Sequence, residues 1–120
     1  MTWTVYGISN CDTVKKARKW LDAAGVTYRF HDFRKDGLET RTVTAMLTAL
    51  GAEKLINKRG TTWRKLDPAA QAAAGGDGVA ALLVAHPTLI KRPVIDTGDG
   101  WSVGFGKAEQ TALAARRDLT

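Results

Sequence analysis

Between Thr2 and Phe33 the hydrophobic period of the chain changes twice, and this opening restricts the fold more than any other stretch. Thr2 to Ile8 carry β-branched and aromatic side chains and read as a short strand. Val14, Ala17, Leu21 and Ala24 then recur at three- and four-residue steps, an apolar stripe that predicts a helix from about Thr13 to Ala24 with Gly25 as its stop. Val26, Tyr28 and Phe30 alternate with polar neighbours, the period of a half-buried strand that runs to Phe33. Strand, helix and strand in so short a span predict a parallel pair with a right-handed crossover.

The middle of the chain is helical by pattern. Val43, Met46, Leu47 and Leu50 form one face of a helix from Glu39 to about Leu50, closed by Gly51. Short pieces follow: Glu53 to Asn57, a turn through Trp63 to Leu66 capped by Thr61 or Thr62, and Ala69 to Ala74 opened by the Asp67-Pro68 cap. Gly75-Gly76-Asp77-Gly78 breaks the run, and Val79 to Ala85 is again helical, ended by His86-Pro87. Residues 39–86 therefore read as a helical insert. Val94-Ile95-Asp96 and Trp101-Ser102-Val103 flank Thr97-Gly98-Asp99-Gly100, a hairpin loop, so this pair is expected to be antiparallel. Lys107 to about Arg117 closes the chain as a helix. The expected architecture is a single α/β domain, residues 1–120, with a mixed sheet and a helical insertion, a length that suits one core and not two.

Cys11 is the sole cysteine, and it falls where the first strand becomes the first helix. A helix start presents free amide groups and the positive end of the helix dipole, and both stabilise an anion such as a thiolate. An ordinary thiol of pKa near 8.5 is only about 3% ionised at pH 7, whereas one lowered by about two units is mostly thiolate. Lys15 and Lys16 act in that direction and Asp12 opposes them. A lone cysteine in a globular chain is commonly a buried structural residue. Here Ser9, Asn10, Asp12 and Thr13 surround it with small polar groups that suit a solvent-facing loop and cap.

One cysteine excludes a CxxC redox pair and a zinc site built on thiolates. His31 lies on the polar side of its strand without a second ligand at metal spacing and reads as structural or merely exposed, so no metal is expected. Eighteen Lys and Arg against twelve Asp and Glu give a net charge of +6, which favours an anionic partner. The basic run Lys15-Lys16-Ala17-Arg18-Lys19 reads as a solvated helix face, and basic residues are not interleaved with aromatics as in a nucleic-acid platform, so no nucleic acid is expected. No apolar run is long enough for a membrane span, and with Met1-Thr2-Trp3-Thr4 running straight into the first strand no leader is expected. With one thiol, a reducing cytoplasmic compartment is the expectation.

The strand-helix-strand start, helical insert, hairpin-helix finish and cysteine at the first turn together outline a thioredoxin-like domain of glutaredoxin type. Three motifs in order sharpen this: Tyr6-Gly7-Ile8-x-Asn10-Cys11-Asp12-Thr13-x-Lys15-Lys16-Ala17-Arg18-x-Trp20, then Asn57-x-Arg59-Gly60-Thr61-Thr62-Trp63-Arg64-Lys65-Leu66, then Leu89-Ile90-Lys91-Arg92-Pro93 with Val103-Gly104-Phe105. In these the chain resembles the arsenate reductase-related family, within it the YffB-like, Spx-related branch, over nearly its whole length. The resemblance implies that Cys11 is the redox thiol, and that Asn10, Arg59, Arg92 and Pro93 form a substrate or glutathione site, with Pro93 cis. Arginine suits the role, since its planar fork of donors matches a carboxylate or oxyanion and never loses its charge.

The departures from the family pattern also speak. Glutaredoxin-coupled arsenate reductases carry a third arginine where this chain reads Gly104-Phe105-Gly106-Lys107, and they lack an acid after the cysteine. Losing a fork and adding Asp12 weakens a site for a divalent oxyanion. Val14 stands where Spx regulators often have a second cysteine. The expected function is a monothiol reductase that uses glutathione as cosubstrate, with no permanently bound cofactor, and acts on a thiol or disulfide substrate. Glutaredoxin-coupled arsenate reduction and an Spx-like regulator that binds RNA polymerase are the alternatives.

Overall fold

A computed structural model describes residues 2–118. The first strand, β1 (Trp3–Gly7), leads into helix α1 (Asp12–Ala23) and then strand β2 (Tyr28–Asp32). Helices α2 (Thr40–Leu50), α3 (Ala52–Leu55), α4 (Thr61–Lys65), α5 (Pro68–Ala73) and α6 (Val79–Ala85) follow, with a 3-10 turn at Pro87–Leu89. Strands β3 (Val94–Asp96) and β4 (Trp101–Val103) and helix α7 (Lys107–Asp118) complete the order. Contacts divide the chain into two units: the described residues up to Gly37 together with those from Arg92 onward, and Leu38–Lys91.

In the first unit the strands form one mixed sheet in the order β2-β1-β3-β4. β1 and β2 are parallel, with Val5 opposite Phe30, whereas β1 with β3 and β3 with β4 are antiparallel. Alternation along β1 buries Trp3 and Val5, which pack with Ala17 and Leu21 of α1, Ile95 of β3, Phe105 in the loop before α7, and Leu113 of α7. The stripe read from the sequence is the buried face of α1: Val14, Ala17 and Leu21. Gly25 adopts φ 75°, and its NH bonds the Asp22 carbonyl while that of Val26 bonds Leu21 at 3.1 Å, the paired closure that ends a helix through a left-handed glycine. Gly7 is required for a different reason. A Cβ there would lie 2.7 Å from a methyl of Val14, so the end of β1 and the first turn of α1 touch through the missing side chain.

In the second unit α2 buries Val43 and Met46 and packs against α3 and α6, which contribute Leu55, Leu82 and Leu83. Asp67 caps α5 by accepting the Ala70 NH at 2.8 Å, with Pro68 in the first turn, as its sequence predicts. Two expectations are corrected. The piece expected over Glu53 to Asn57 ends at Leu55, because Ile56 turns extended and pairs with Ile90; the Asn57 NH reaches the Leu89 carbonyl at 2.7 Å, and the Lys91 NH reaches that of Leu55 at 2.8 Å. Neither Thr61 nor Thr62 caps α4. Gly60 holds the cap position, and the Thr62 hydroxyl meets that of Thr88 at 2.8 Å. Among the described residues no helix is long and apolar enough to cross a membrane.

Candidate active site

Cys11 occupies the N-cap of α1 with extended backbone, φ −101° and ψ 125°. Its carbonyl accepts the Lys15 NH at 2.9 Å and so starts the helical ladder, while its own NH reaches back to the Ile8 carbonyl at 3.4 Å. The thiol is half-buried. Burial is the largest single influence on it and pushes its pKa up, because a charged sulfur loses water. Against burial stand the Val14 NH, the Arg92 guanidinium as both donor and charge, and the Thr13 NH, and together they hold the thiol below its ordinary value. Lys15 and Lys16 are exposed and are not among the main influences. The cation that matters comes from the far end of the sequence.

Arg92 and Pro93 belong to the same unit as Cys11. The Arg92–Pro93 peptide is cis, as the resemblance implies, and Pro93 is buried with its carbonyl accepting the Gly104 NH at 2.9 Å. Asn10 is exposed in the turn before the thiol. Arg59 belongs to the other unit. There it lines a cleft of about 340 Å³ with Glu53, Ile56, Asn57, Lys58 and Lys91. Its NH donates to Asn57 Oδ1 at 3.1 Å, and Arg64 Nη2 donates to its carbonyl at 2.8 Å, so the backbone at Arg59 is held while its side chain stays exposed.

Of the two parts open to it, His31 takes the structural one: its ring lies 5.1 Å from that of Tyr6, and its Nε2 donates to the Gly37 carbonyl at 2.7 Å. Asp32 was not legible as a special residue. It is only 4% exposed, and its carboxylate accepts the NH groups of Ser9 at 3.3 Å, Arg34 at 2.8 Å and Lys35 at 3.3 Å. Burial pushes its carboxyl up, yet these donors and the Ser9 hydroxyl together hold it below the usual carboxylate range. The signal was parity: Asp32 continues the inward series of Tyr28 and Phe30, where a carboxylate must find donors to be tolerated.

Residues 6–113 match the ArsC family. An uncharacterized protein of Haemophilus influenzae is 44% identical over 112 residues, covering 93% of this chain and 98% of its own length. The solved structure of a YffB protein is similar at a TM-score of 0.82 and 39% identity, over 92% of this chain and 96% of that one. The global transcriptional regulator Spx of Streptococcus pyogenes is 27% identical over 115 residues, 94% of this chain and 85% of that protein.

Proposed function

The chain belongs to the ArsC family, in its YffB-like branch and with a thioredoxin-like fold, and from that premise we propose that it is a glutathione-dependent thiol/disulfide reductase with Cys11 as its nucleophile. The observation that carries the reading is the setting of Cys11: a half-buried thiol at the start of α1, held below its ordinary pKa by two backbone NH groups and Arg92. In the cycle, the Cys11 thiolate attacks one sulfur of a substrate disulfide; that S–S bond breaks, a Cys11 mixed disulfide forms, and the other sulfur leaves as a thiolate and takes a proton. A glutathione thiolate then attacks the substrate sulfur of the mixed disulfide and releases Cys11. A second exchange, by glutathione on the resulting mixed disulfide, yields the second substrate thiol and oxidised glutathione. Two glutathione thiols are oxidised and one substrate disulfide is reduced. With a single cysteine in the chain, an external thiol must supply these electrons.

Glutathione suits the net charge of +6 through its two carboxylates. Arg92 is the proposed partner for one of them, and Asn10 and Pro93 are proposed as neighbours of the bound thiol. Arg59 is proposed from the resemblance alone, and its variant tests it separately. The experiment is incubation with oxidised glutathione followed by mass spectrometry of the Cys11 peptide. A glutathione adduct on Cys11, reversed by reduced glutathione, is the expected result, and an unmodified Cys11 peptide would sink the proposal. The 27% identity to Spx favours a second reading, a regulator that binds RNA polymerase. Capture of polymerase by wild type and by Cys11→Ala alike, with no adduct formed, is the outcome that selects it. Arsenate reduction is expected to be weak for want of a third arginine, and glutathione- and glutaredoxin-coupled turnover of arsenate measures it.

A further inference from the structure

Asp32 is the one buried carboxylate among the described residues, and the proposed chemistry makes no use of it. Its two oxygens divide their work. Oδ1 accepts the NH groups of Arg34 and Lys35 in the turn after β2, and Oδ2 accepts the NH of Ser9, in the loop that carries Asn10 and Cys11 from β1 into α1. The turn is itself pinned: the Asp32 NH donates to Asp36 Oδ2 at 3.0 Å, the Asp36 NH donates to the Asp32 carbonyl at 2.8 Å, and the Phe33 NH donates to the Gly7 carbonyl at 2.8 Å. One carboxylate therefore ties the end of β2 to the loop two residues before the thiol.

We infer that Asp32 is a positioning residue for Cys11, holding the Ser9–Cys11 loop so that the sulfur stays against the first amides of α1 and the Arg92 guanidinium. The inference rests on the reading of Cys11 as the reactive thiol. The residue type follows from the hydrogen bonds. Only an ionised carboxylate accepts on both oxygens at once; an amide whose oxygen serves Arg34 and Lys35 turns its NH2 toward the Ser9 NH, donor against donor. Asp32→Asn thus removes the tie to the loop with almost no change of volume. The contribution is geometric: Asp32 is not among the main charges that act on the thiol, and its negative charge, if felt, would raise the thiol pKa.

The two effects have opposite signs, and this makes the test decisive. Alkylation of Cys11 by iodoacetamide is followed against pH in wild type and Asp32→Asn, with the thermal midpoint and helical circular dichroism of each. Loss of position raises the alkylation midpoint by about one pH unit, which is tenfold less thiolate at a fixed pH below it. A midpoint that stays or falls in folded Asp32→Asn overturns the inference and leaves the reactive thiol standing. A wild-type midpoint at or above about 8.5 overturns the underlying reading instead. Should Asp32→Asn fail to fold, Ser9→Pro removes the loop's donor NH and hydroxyl from the other side; a raised midpoint there supports the tie, and an unchanged one overturns it. Destabilisation alone moves the thermal midpoint and leaves the pH of half-alkylation where it was.

Discussion

In the strand-built unit, charge is met by backbone amides: the Asp32 carboxylate accepts the NH groups of Ser9, Arg34 and Lys35, and the amides of Val14 and Thr13, with Arg92, hold the Cys11 thiol below its ordinary pKa. In the helical unit, Lys58, Arg59 and Lys91 stand exposed around an open cleft. The supports differ as much as the charges. The sheet joins segments from both ends of the chain around one buried cluster. Helices α3 to α6 are four to seven residues long, far short of the ~12 to 15 that isolated helices need, so packing and caps hold them in place. The strand end gives a reactive atom a fixed surrounding, whereas the loops between the short helices carry exposed cations.

Cys11→Ser breaks the comparison most sharply. Adduct formation with oxidised glutathione should vanish while the thermal midpoint barely moves, because a hydroxyl replaces a half-buried thiol of similar size; mass spectrometry and calorimetry read the two results. Next in size is the contrast of the arginines. Each charge-assisted contact contributes about 1.5 to 3 kcal/mol, so Arg92→Ala and Arg59→Ala should each weaken glutathione binding by about ten- to a hundredfold in titration calorimetry. Arg92→Ala should also raise the pH midpoint of Cys11 alkylation, since its guanidinium is a donor and a charge to the sulfur. Unchanged affinity in one variant would remove that arginine from the proposed site.

A pair of glycines sharpens the same contrast through stability. Gly7→Ala drives a Cβ into buried Val14 at 2.7 Å, and overpacking of this kind costs about 1 to 3 kcal/mol in denaturant unfolding. In Gly60→Ala the new atom meets the Asn57 Nδ2 at 2.9 Å, the end of a side chain that can swing aside, so a loss under about 1 kcal/mol is expected. Equal losses would mean that the helical turn is as rigid as the strand end. The smallest effect lies in acid. Asp32 and Asp99 both have carboxyls held below the usual range, Asp99 chiefly by the Thr97 hydroxyl and further by Arg116, 2.7 Å away. A depressed folded pKa means stability fully present above about 3.9 and lost as pH falls through the lower folded value, so unfolding free energy should decline below about pH 4. Asp99→Asn should make that decline shallower by a small amount.

Periodicity carried most of the fold. The stripe of α1, the alternation of β2, the hairpin around Thr97 to Gly100 and the Asp67-Pro68 cap all answer to spacing within a few residues, which a sequence displays directly. What failed depended on distant partners. Ile56 leaves its helix because Ile90 pairs with it, and the Thr62 hydroxyl turns to Thr88 instead of capping its own turn. The site divides in the same way. Position alone marked Cys11 as a thiol at a helix start, and from the residues nearby the chain credits Lys15 and Lys16 with lowering its pKa. The fold brings Arg92 to it from a position that follows the helical segment in sequence, and exposed lysines lose their influence to solvent. Arg92 was found through motif likeness and not through any local pattern.

Placing the thiol at the start of α1 also shapes the return half of the proposed cycle. A lowered pKa makes Cys11 a weaker intrinsic nucleophile, with a Brønsted dependence of about 0.4 to 0.5, and at the same time a better leaving group. The mixed disulfide carries no negative charge on the Cys11 sulfur, so the helix amides and Arg92 lose the anion they favour until that sulfur is released. Discharge of the adduct restores it. The geometry that arms Cys11 for attack therefore also hastens its departure, and a chain with no second thiol to force the exchange keeps its covalent intermediate short-lived.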